Sequence, residues 1–393
     1  MAPRQGLIVN ILFPYLARWR SANWSRYHGL LHALCAKGHR VVILEAPPLS
    51  ASQETNYADL EVDLPAGMIV QELQPPLWRY TMPLDKLAKK GLVVLASRAV
   101  LPDVVRDHDI DVLLLYNFPQ YVLAAAAPCL TVFDMSDDLL AMFDHEAGRL
   151  GRLALHWLAA AMHERLMQRS ALVTAPSAVL AERQRRQVSV LPNGVDWEAA
   201  QQANGTHIRS RYRTPIVGFL GAFEYFVDFD PVLAAAAALP DVTFLLVGGG
   251  RSWQAVKARV EAAALDNVVL PGPVPHQEGL DNIAAMDVGL IPFSKDAVSH
   301  AACPLKLFEY AALKKPVVST RIAEIIHLAE GFVTFADSNA ELVAVLTRLL
   351  EAPDEAQQPA DRGYELVRSR YRWDLIADQF VALIDAAQSA PES

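Results

Sequence analysis

The sequence predicts an α/β protein built from two doubly wound parallel sheets in series. Three observations carry this expectation. Short apolar runs alternate with helical stretches up to Leu191, stop at a polar turn, and then begin again. The 393 residues exceed one ordinary core and suit two domains. A hydrophobic content of 52% against 20% charged residues lets the whole length fold.

In chain order, Gly6–Phe13 reads as a buried strand and Arg26–Lys37 as a helix that Gly38 closes. Arg40–Glu45 is the second strand. The turn between the first strand and helix has no G-x-G-x-x-G, so a dinucleotide site loses its main support. A strand near Met68–Glu72 precedes a basic, apolar segment, Leu77–Arg106. Asp111–Tyr116, Leu130–Phe133, Leu172–Ala175 and Val188–Leu191 are further strands, with helices at Pro119–Ala127, Leu150–Ser170 and Ala178–Gln184. Pro192–Asp196 is a turn, and the boundary falls there, giving domains 1–195 and 196–372. The second domain has strands Ile216–Leu220, Thr243–Val247, Val268–Leu270, Val288–Ile291 and Pro316–Thr320. Its helices are Pro231–Leu239, Trp253–Ala264, Glu278–Ala285, Pro304–Leu313 and Ala340–Leu350. Arg362–Arg370 and Trp373–Ala387 are terminal helices, and the last (373–388) is expected to pack back on the first domain.

Several classes of function are excluded early. A net charge of −9 argues against a general nucleic-acid binder. Cys35, Cys129 and Cys303 are widely spaced and odd in number, which fits reduced cytosolic thiols rather than a disulfide framework or a zinc site. Leu7–Tyr15 is short and interrupted by Asn10 and Pro14, so a first strand suits it better than a signal peptide. No run reaches the roughly 18 to 20 apolar residues of a membrane span.

The stretch with most chemical content is Cys303–Thr320. Pro304 suits the first turn of a helix, and the helix mouth, with its free N–H groups and positive dipole end, is an anion site. Lys306 adds a full charge there, and Glu309 lies on the same face about one turn deeper. A cation with a carboxylate below it suits a diphosphate and a vicinal diol, the two features of a nucleotide-sugar. A Lys306–Glu309 or Lys314–Glu309 salt bridge on a buried helix is the bland alternative. Gly218 and Gly221, and Gly248-Gly249-Gly250-Arg251, follow two strands; glycine there lets the backbone approach a phosphate or ribose, or only serves the turn. Asp134-Met135-Ser136-Asp137-Asp138 follows a strand of the first domain. Asp137 and Asp138, ahead of Asp134, are candidates for a general base, with helix capping by Ser136 or Asp137 as the equal alternative. Asp228-Phe229-Asp230 spells D-x-D, but Asp230 before Pro231 reads as a helix cap, and no required metal is expected. His28, at the start of the first long helix, is the next candidate base.

Taken together, L-P-N-G-V-D (Leu191–Asp196), V-G-F-L-G-A-F (Val217–Phe223), L-L-V-G-G-G, N-V-V-L-P-G-P-V-P, D-V-G-L-I-P-F (Asp287–Phe293) and P-L-K-L-F-E-Y-A-A-L-K-K-P-V-V-S-T resemble the GT-B glycosyltransferases of the group 1 type. The ordered set spans about the whole chain, most specifically Asn193–Thr320. The resemblance implies two Rossmann-like domains facing a cleft, an acceptor-binding one (1–195) and a nucleotide-sugar-binding one (196–372). It implies transfer of a sugar, UDP-linked, to a hydroxyl of a glycan or lipid-linked glycan in cell-surface polysaccharide synthesis. Lys306 then meets the diphosphate, Glu309 the ribose, and Leu305, Gly221, Gly248, Gly249 and Arg251 line the donor; by resemblance alone, Pro273 and Val274 meet the base. No cofactor beyond the donor substrate is expected. Retaining members usually carry a second Glu eight residues before the one matching Glu309; Ala301 stands there, so retention is not assumed. P-x-K-x-x-E-Y instead resembles a subgroup making teichuronic-acid-like polymers. An epimerase of the same fold and a non-catalytic glycan- or lipid-binding scaffold remain the alternatives.

Finally, Trp78, Arg79, Tyr80, Met82, Lys86, Leu87, Lys89, Lys90, Arg98 and Arg106, with Leu92–Leu95, suggest an interfacial segment on anionic lipid through 78–106. A core helix with solvated lysines is the alternative.

Overall fold

The computed structural model describes residues 8–19, 24–47, 64–74, 86–146, 148–329 and 331–389. It divides the chain into two compact units, Met1–Pro192 with Asp374–Ser393, and Asn193–Trp373.

The first unit is a seven-stranded parallel sheet. Its strands are β1 (Asn10–Pro14), β2 (Arg40–Glu45), β3 (Met68–Glu72), β4 (Val112–Leu115), β5 (Leu130–Asp134), β6 (Leu172–Ala175) and β7 (Ser189–Val190), in the spatial order 3-2-1-4-5-6-7. Helices on both faces bury both sides of the central strands, so β4 reads as an unbroken apolar run rather than an alternating one. α1 (Arg26–Ala36) is entered through Ser25, whose side chain meets His28 in a capping box, and it ends before Gly38 at φ +89°. α2 (Lys86–Asp107) turns Val93, Val94, Leu101 and Val104 into the core. The helix expected over Leu150–Ser170 is one of two: α3 (Leu139–Glu146) precedes α4 (Gly148–Arg169). α5 (Ala178–Glu182) follows β6. The stretch Pro119–Ala127 is a single 3₁₀ turn, Phe118–Gln120, running into Tyr121–Ala124. The terminal helix Trp373–Ser389 belongs to this unit from Asp374 on, and Lys37 of α1 pairs with its Asp378 at 2.8 Å.

The second unit is a six-stranded parallel sheet of β8 (Ile216–Leu220), β9 (Thr243–Val247), β10 (Val268–Gly272), β11 (Val288–Ile291), β12 (Val317–Ser319) and β13 (Val333–Phe335), in the order 10-9-8-11-12-13. β13 is three residues of polar-apolar sequence, too short for the periodicity to reveal. The strand order reverses between β8 and β11. In open α/β sheets this switch point, at the strands' carboxyl ends, is where ligands bind. The helix that reaches it, α6 (Leu305–Ala312), buries Leu307, Phe308, Tyr310, Ala311 and Ala312.

The D-x-D sequence is used by the fold, with one correction. Asp228, not Asp230, accepts the N–H of Asp230 (3.0 Å), while Asp230 pairs with Arg259. Among the described residues, no cluster of three or more His, Cys, Asp or Glu side chains could hold a metal ion.

Candidate functional site

α6 is fastened to the switch point by one side chain. The Tyr310 hydroxyl accepts the N–H of Leu220 (3.1 Å) and donates to the carbonyl of Leu290 (3.2 Å), joining the ends of β8 and β11. Behind it, the Asn193 amide donates to the carbonyl of Cys303 (2.6 Å), fixing the approach to the helix. The result holds Lys306 over two aromatic rings, its ammonium 5.3 Å from the centre of Phe219 and 5.0 Å from that of Phe293. Glu309, one turn below, is buried. Neither forms an ion pair within 4.0 Å among the described residues, and Lys314, the other proposed partner of Glu309, is paired with Asp361 at 3.1 Å. Burial pulls the Lys306 ammonium below its ordinary range against the charge of Glu309, and pushes the Glu309 carboxyl up against that of Lys306. A desolvated cation at a switch point, with Glu309 acting on it from a distance and no carboxylate within 4.0 Å among the described residues, is suited to an anion. Leu305, the first residue of α6, is half-buried beside it.

The glycine loops require a correction. At Gly221 (φ +149°) a side chain would stand 2.9 Å from the Lys306 ammonium, so glycine makes room for that cation. At Gly248 (φ +132°) a side chain would collide with the carbonyl oxygen of Gly221. What approaches Gly248 closely is thus the neighbouring loop. The N–H groups of Gly221 and Gly248 donate to Val247 (3.0 Å) and Gly272 (2.9 Å), and the carbonyl of Gly249 accepts from Phe223 (2.9 Å). The two N–H groups are committed to the fold and are not phosphate donors. Arg251 reaches across to Glu224 at 3.1 Å. Pro273 and Val274 are half-buried on the loop after β10.

In the first unit the three aspartates separate sharply. Asp134 is fully buried, and its carboxylate accepts from Arg26 Nε (2.8 Å), Arg26 Nη2 (2.9 Å) and Thr174 Oγ1 (2.6 Å). That carboxylate is a structural anchor, which corrects its candidacy as a base. Asp138 caps α3 by accepting the N–H of Ala141 (3.1 Å) and pairs with Arg183 at 3.0 Å. The capping expected of Ser136 or Asp137 therefore falls to Asp138. Asp137 is half-buried, and desolvation pushes its carboxyl up to about 6; a hydrogen bond from Ser136 and the charge of Arg26 oppose the rise, and Asp138 and Asp134 add to it. A carboxyl raised this far lies nearer the working range of a general base than an ordinary aspartate does. His28 is fully buried, stacked on Trp19 (3.9 Å between ring centres, 18°), with Nδ1 2.9 Å from Ser25 Oγ and Nε2 3.2 Å from the carbonyl of Trp19. It is a packing residue, and the suggestion that it replaces the aspartates does not hold.

Sequence reasoning missed Arg26, Tyr310 and Asn193. Arg26 had left a sign: a cation as first residue of a helix opposes the macrodipole and needs a carboxylate nearby. The other two act through partners remote in sequence and left none.

The arrangement of two doubly wound parallel sheets is the GT-B fold. Sucrose-phosphate synthase from Thermosynechococcus elongatus superposes with a TM-score of 0.78 at 15% identity, over 97% of this chain and 99% of that one. Anabaena Alr3699/HepE in complex with UDP and glucose does so with a TM-score of 0.67 at 18% identity, over 96% and 99%. The likeness to these solved structures is one of fold. Residues 230–382 match the family described as glycosyl transferase-like. The putative teichuronic acid biosynthesis glycosyltransferase TuaH of Bacillus subtilis (strain 168) is 25% identical over 320 residues, covering 78% of this chain and 79% of that protein.

Proposed function

We propose that the protein transfers a sugar from a UDP-linked donor to a hydroxyl of a glycan or lipid-linked glycan in cell-surface polysaccharide synthesis. The observation that carries this is Lys306, held over two aromatic rings at the switch point of the second sheet with no carboxylate within 4.0 Å among the described residues, and with buried Glu309 one turn below. In this reading Lys306 meets the diphosphate and takes up the charge that develops as it leaves. Glu309 accepts the ribose hydroxyls. Arg251 is a donor contact only after diphosphate replaces Glu224 as its partner. Asp137, in the first unit, takes the proton from the acceptor hydroxyl. Ala301 is buried where retaining members carry their second Glu, which supports a single displacement assisted by a base. The solved relative with UDP and glucose and the teichuronic-acid relative support the donor and the pathway class. The test is UDP release from a panel of UDP-sugars, with and without lipid-linked glycan acceptors. Release that depends on acceptor supports transfer; an isomerised donor without release would point to an epimerase, and neither to a scaffold.

We also propose that the enzyme works on the cytoplasmic side of a membrane, touching anionic lipid through 78–106. No helix among the described residues is long and apolar enough to cross a membrane. Val93 and Val94 of the expected Leu92–Leu95 ridge lie in the core and are not available to lipid, so this reading leaves them out. Trp78, Arg79, Tyr80 and Met82 lie outside the described residues. Lys90, Leu95 and Arg98 are exposed. The protein is expected to sediment with anionic but not neutral vesicles at low salt, and Lys90→Glu with Arg98→Glu to release it, each basic residue contributing about 1 kcal/mol. Equal recovery in the supernatant in every condition would remove the membrane from the reading.

A further inference from the structure

We propose that Arg26 is a positioning residue for the acceptor half of the reaction, its guanidinium holding the Asp134 end of β5 and so setting the place and the charge of the loop that carries Asp137. The proposal rests on the reading of Asp137 as the base. Arg26 is 4% exposed at the first residue of α1, where the helix dipole works against a cation. It is retained there by a full set of partners. Its fork grips both oxygens of Asp134, and Nη1 donates to the carbonyl of Pro192 (3.1 Å). Tyr27, the next residue on the helix, donates its hydroxyl to the backbone carbonyl of Asp134 (3.0 Å). The first turn of α1 therefore holds both the side chain and the main chain of the residue from which the loop departs. Asp137 follows three residues later. Ser136, between the two, favours the ionised form of both Tyr27 and Asp137.

The charged and titratable groups that act on the Asp134–Asp138 loop can be set out by element. α1 brings Arg26 and Tyr27, the loop itself brings Asp134 and Asp138, α5 is followed by Arg183, and α4 brings His163. Arg183 is spent on Asp138 at 3.0 Å, and His163 is held toward its neutral form by burial. Arg26 alone joins a positive charge acting on Asp137 to hydrogen bonds that locate the loop.

The test is a carboxyl ¹³C NMR titration of protein labelled at aspartate, with the Asp137 signal assigned from its absence in Asp137→Asn. Arg26→Gln removes the cation and is expected to move the Asp137 midpoint upward by about one pH unit. Arg26→Lys keeps the charge but not the fork, and is expected to move it upward by less. Asp134→Asn removes a negative neighbour and is expected to move it downward. Opposite signs are the signature, since mere loosening hydrates Asp137 and moves it downward in every variant. A downward or absent shift in Arg26→Gln overturns the proposal; if that variant does not fold, the same result in Arg26→Lys does so. Turnover, read as UDP release from UDP-glucose with a lipid-linked glycan acceptor, separates the proposal from the reading beneath it. Full turnover in Asp137→Asn sinks the base assignment. Wild-type turnover in Arg26→Gln, with Asp137→Asn inactive, overturns the positioning role alone.

Discussion

Replacing Lys306 with alanine is expected to weaken UDP binding about 30-fold, or roughly 2 kcal/mol, the scale of removing a charge-assisted hydrogen bond from a partly dry site. Glu309→Gln is expected to weaken it less, because an amide oxygen still accepts from ribose but only as a neutral group. The effect has a pH dependence whose sign follows from burial. Desolvation makes the Lys306 ammonium give up its proton more easily than an ordinary lysine, and a bound diphosphate stabilises the protonated form. Binding therefore takes up protons, and affinity falls as pH rises through a window below the usual lysine range. Calorimetry in buffers of different ionisation enthalpy reads both quantities. Unchanged affinity in both variants would remove Lys306 and Glu309 from the donor site.

Asp137→Asn is expected to cut turnover by about 10² or more while UDP affinity stays within about twofold. A base is active in its ionised form, so wild-type turnover should rise with pH through about 6, the range to which burial lifts this carboxyl, and then level off. The asparagine variant should lack that limb. Asp138→Asn serves as the contrast: it removes a cap on α3 and a partner of Arg183, so its cost should appear in melting temperature, about 1 kcal/mol, before it appears in rate. A full rate in Asp137→Asn would place the base elsewhere.

These two residues also mark how far the sequence could be read. Strands such as Val112–Leu115 and Thr243–Val247 were legible because parallel strands buried on both faces are continuous apolar runs. The pair Lys306 and Glu309 was legible because helical spacing alone sets their relation. The three aspartates of the Asp134–Asp138 loop were not separable, since what divides them comes from elsewhere in the chain: Arg26 lies 108 residues before Asp134, and Arg183 lies 45 after Asp138. The glycines misled for the same reason. Gly248 and Gly221 read as ligand-facing, while the backbone of Gly221 is what stands closest to Gly248 and the Lys306 side chain what stands closest to Gly221. Local pattern reports what a residue is suited to; which partner reaches it first is a property of the fold.

The partition of the chain at Pro192 and Asp374 makes the second unit a continuous block nested inside a first unit whose two pieces lie on either side of it in sequence. The block's ends are already side by side: Val195 accepts from Trp373 (3.1 Å) and donates to Tyr371 (2.9 Å). A stop just after residue 373 would therefore leave the adjoining second unit whole and damage the first. It would remove Ile376, Phe380 and Ile384, all wholly buried, from the amino-terminal half. Ribosomes deliver that helix only after the whole of the second unit, so the first unit stays incomplete, and open to proteases, until residues 374–389 have been translated.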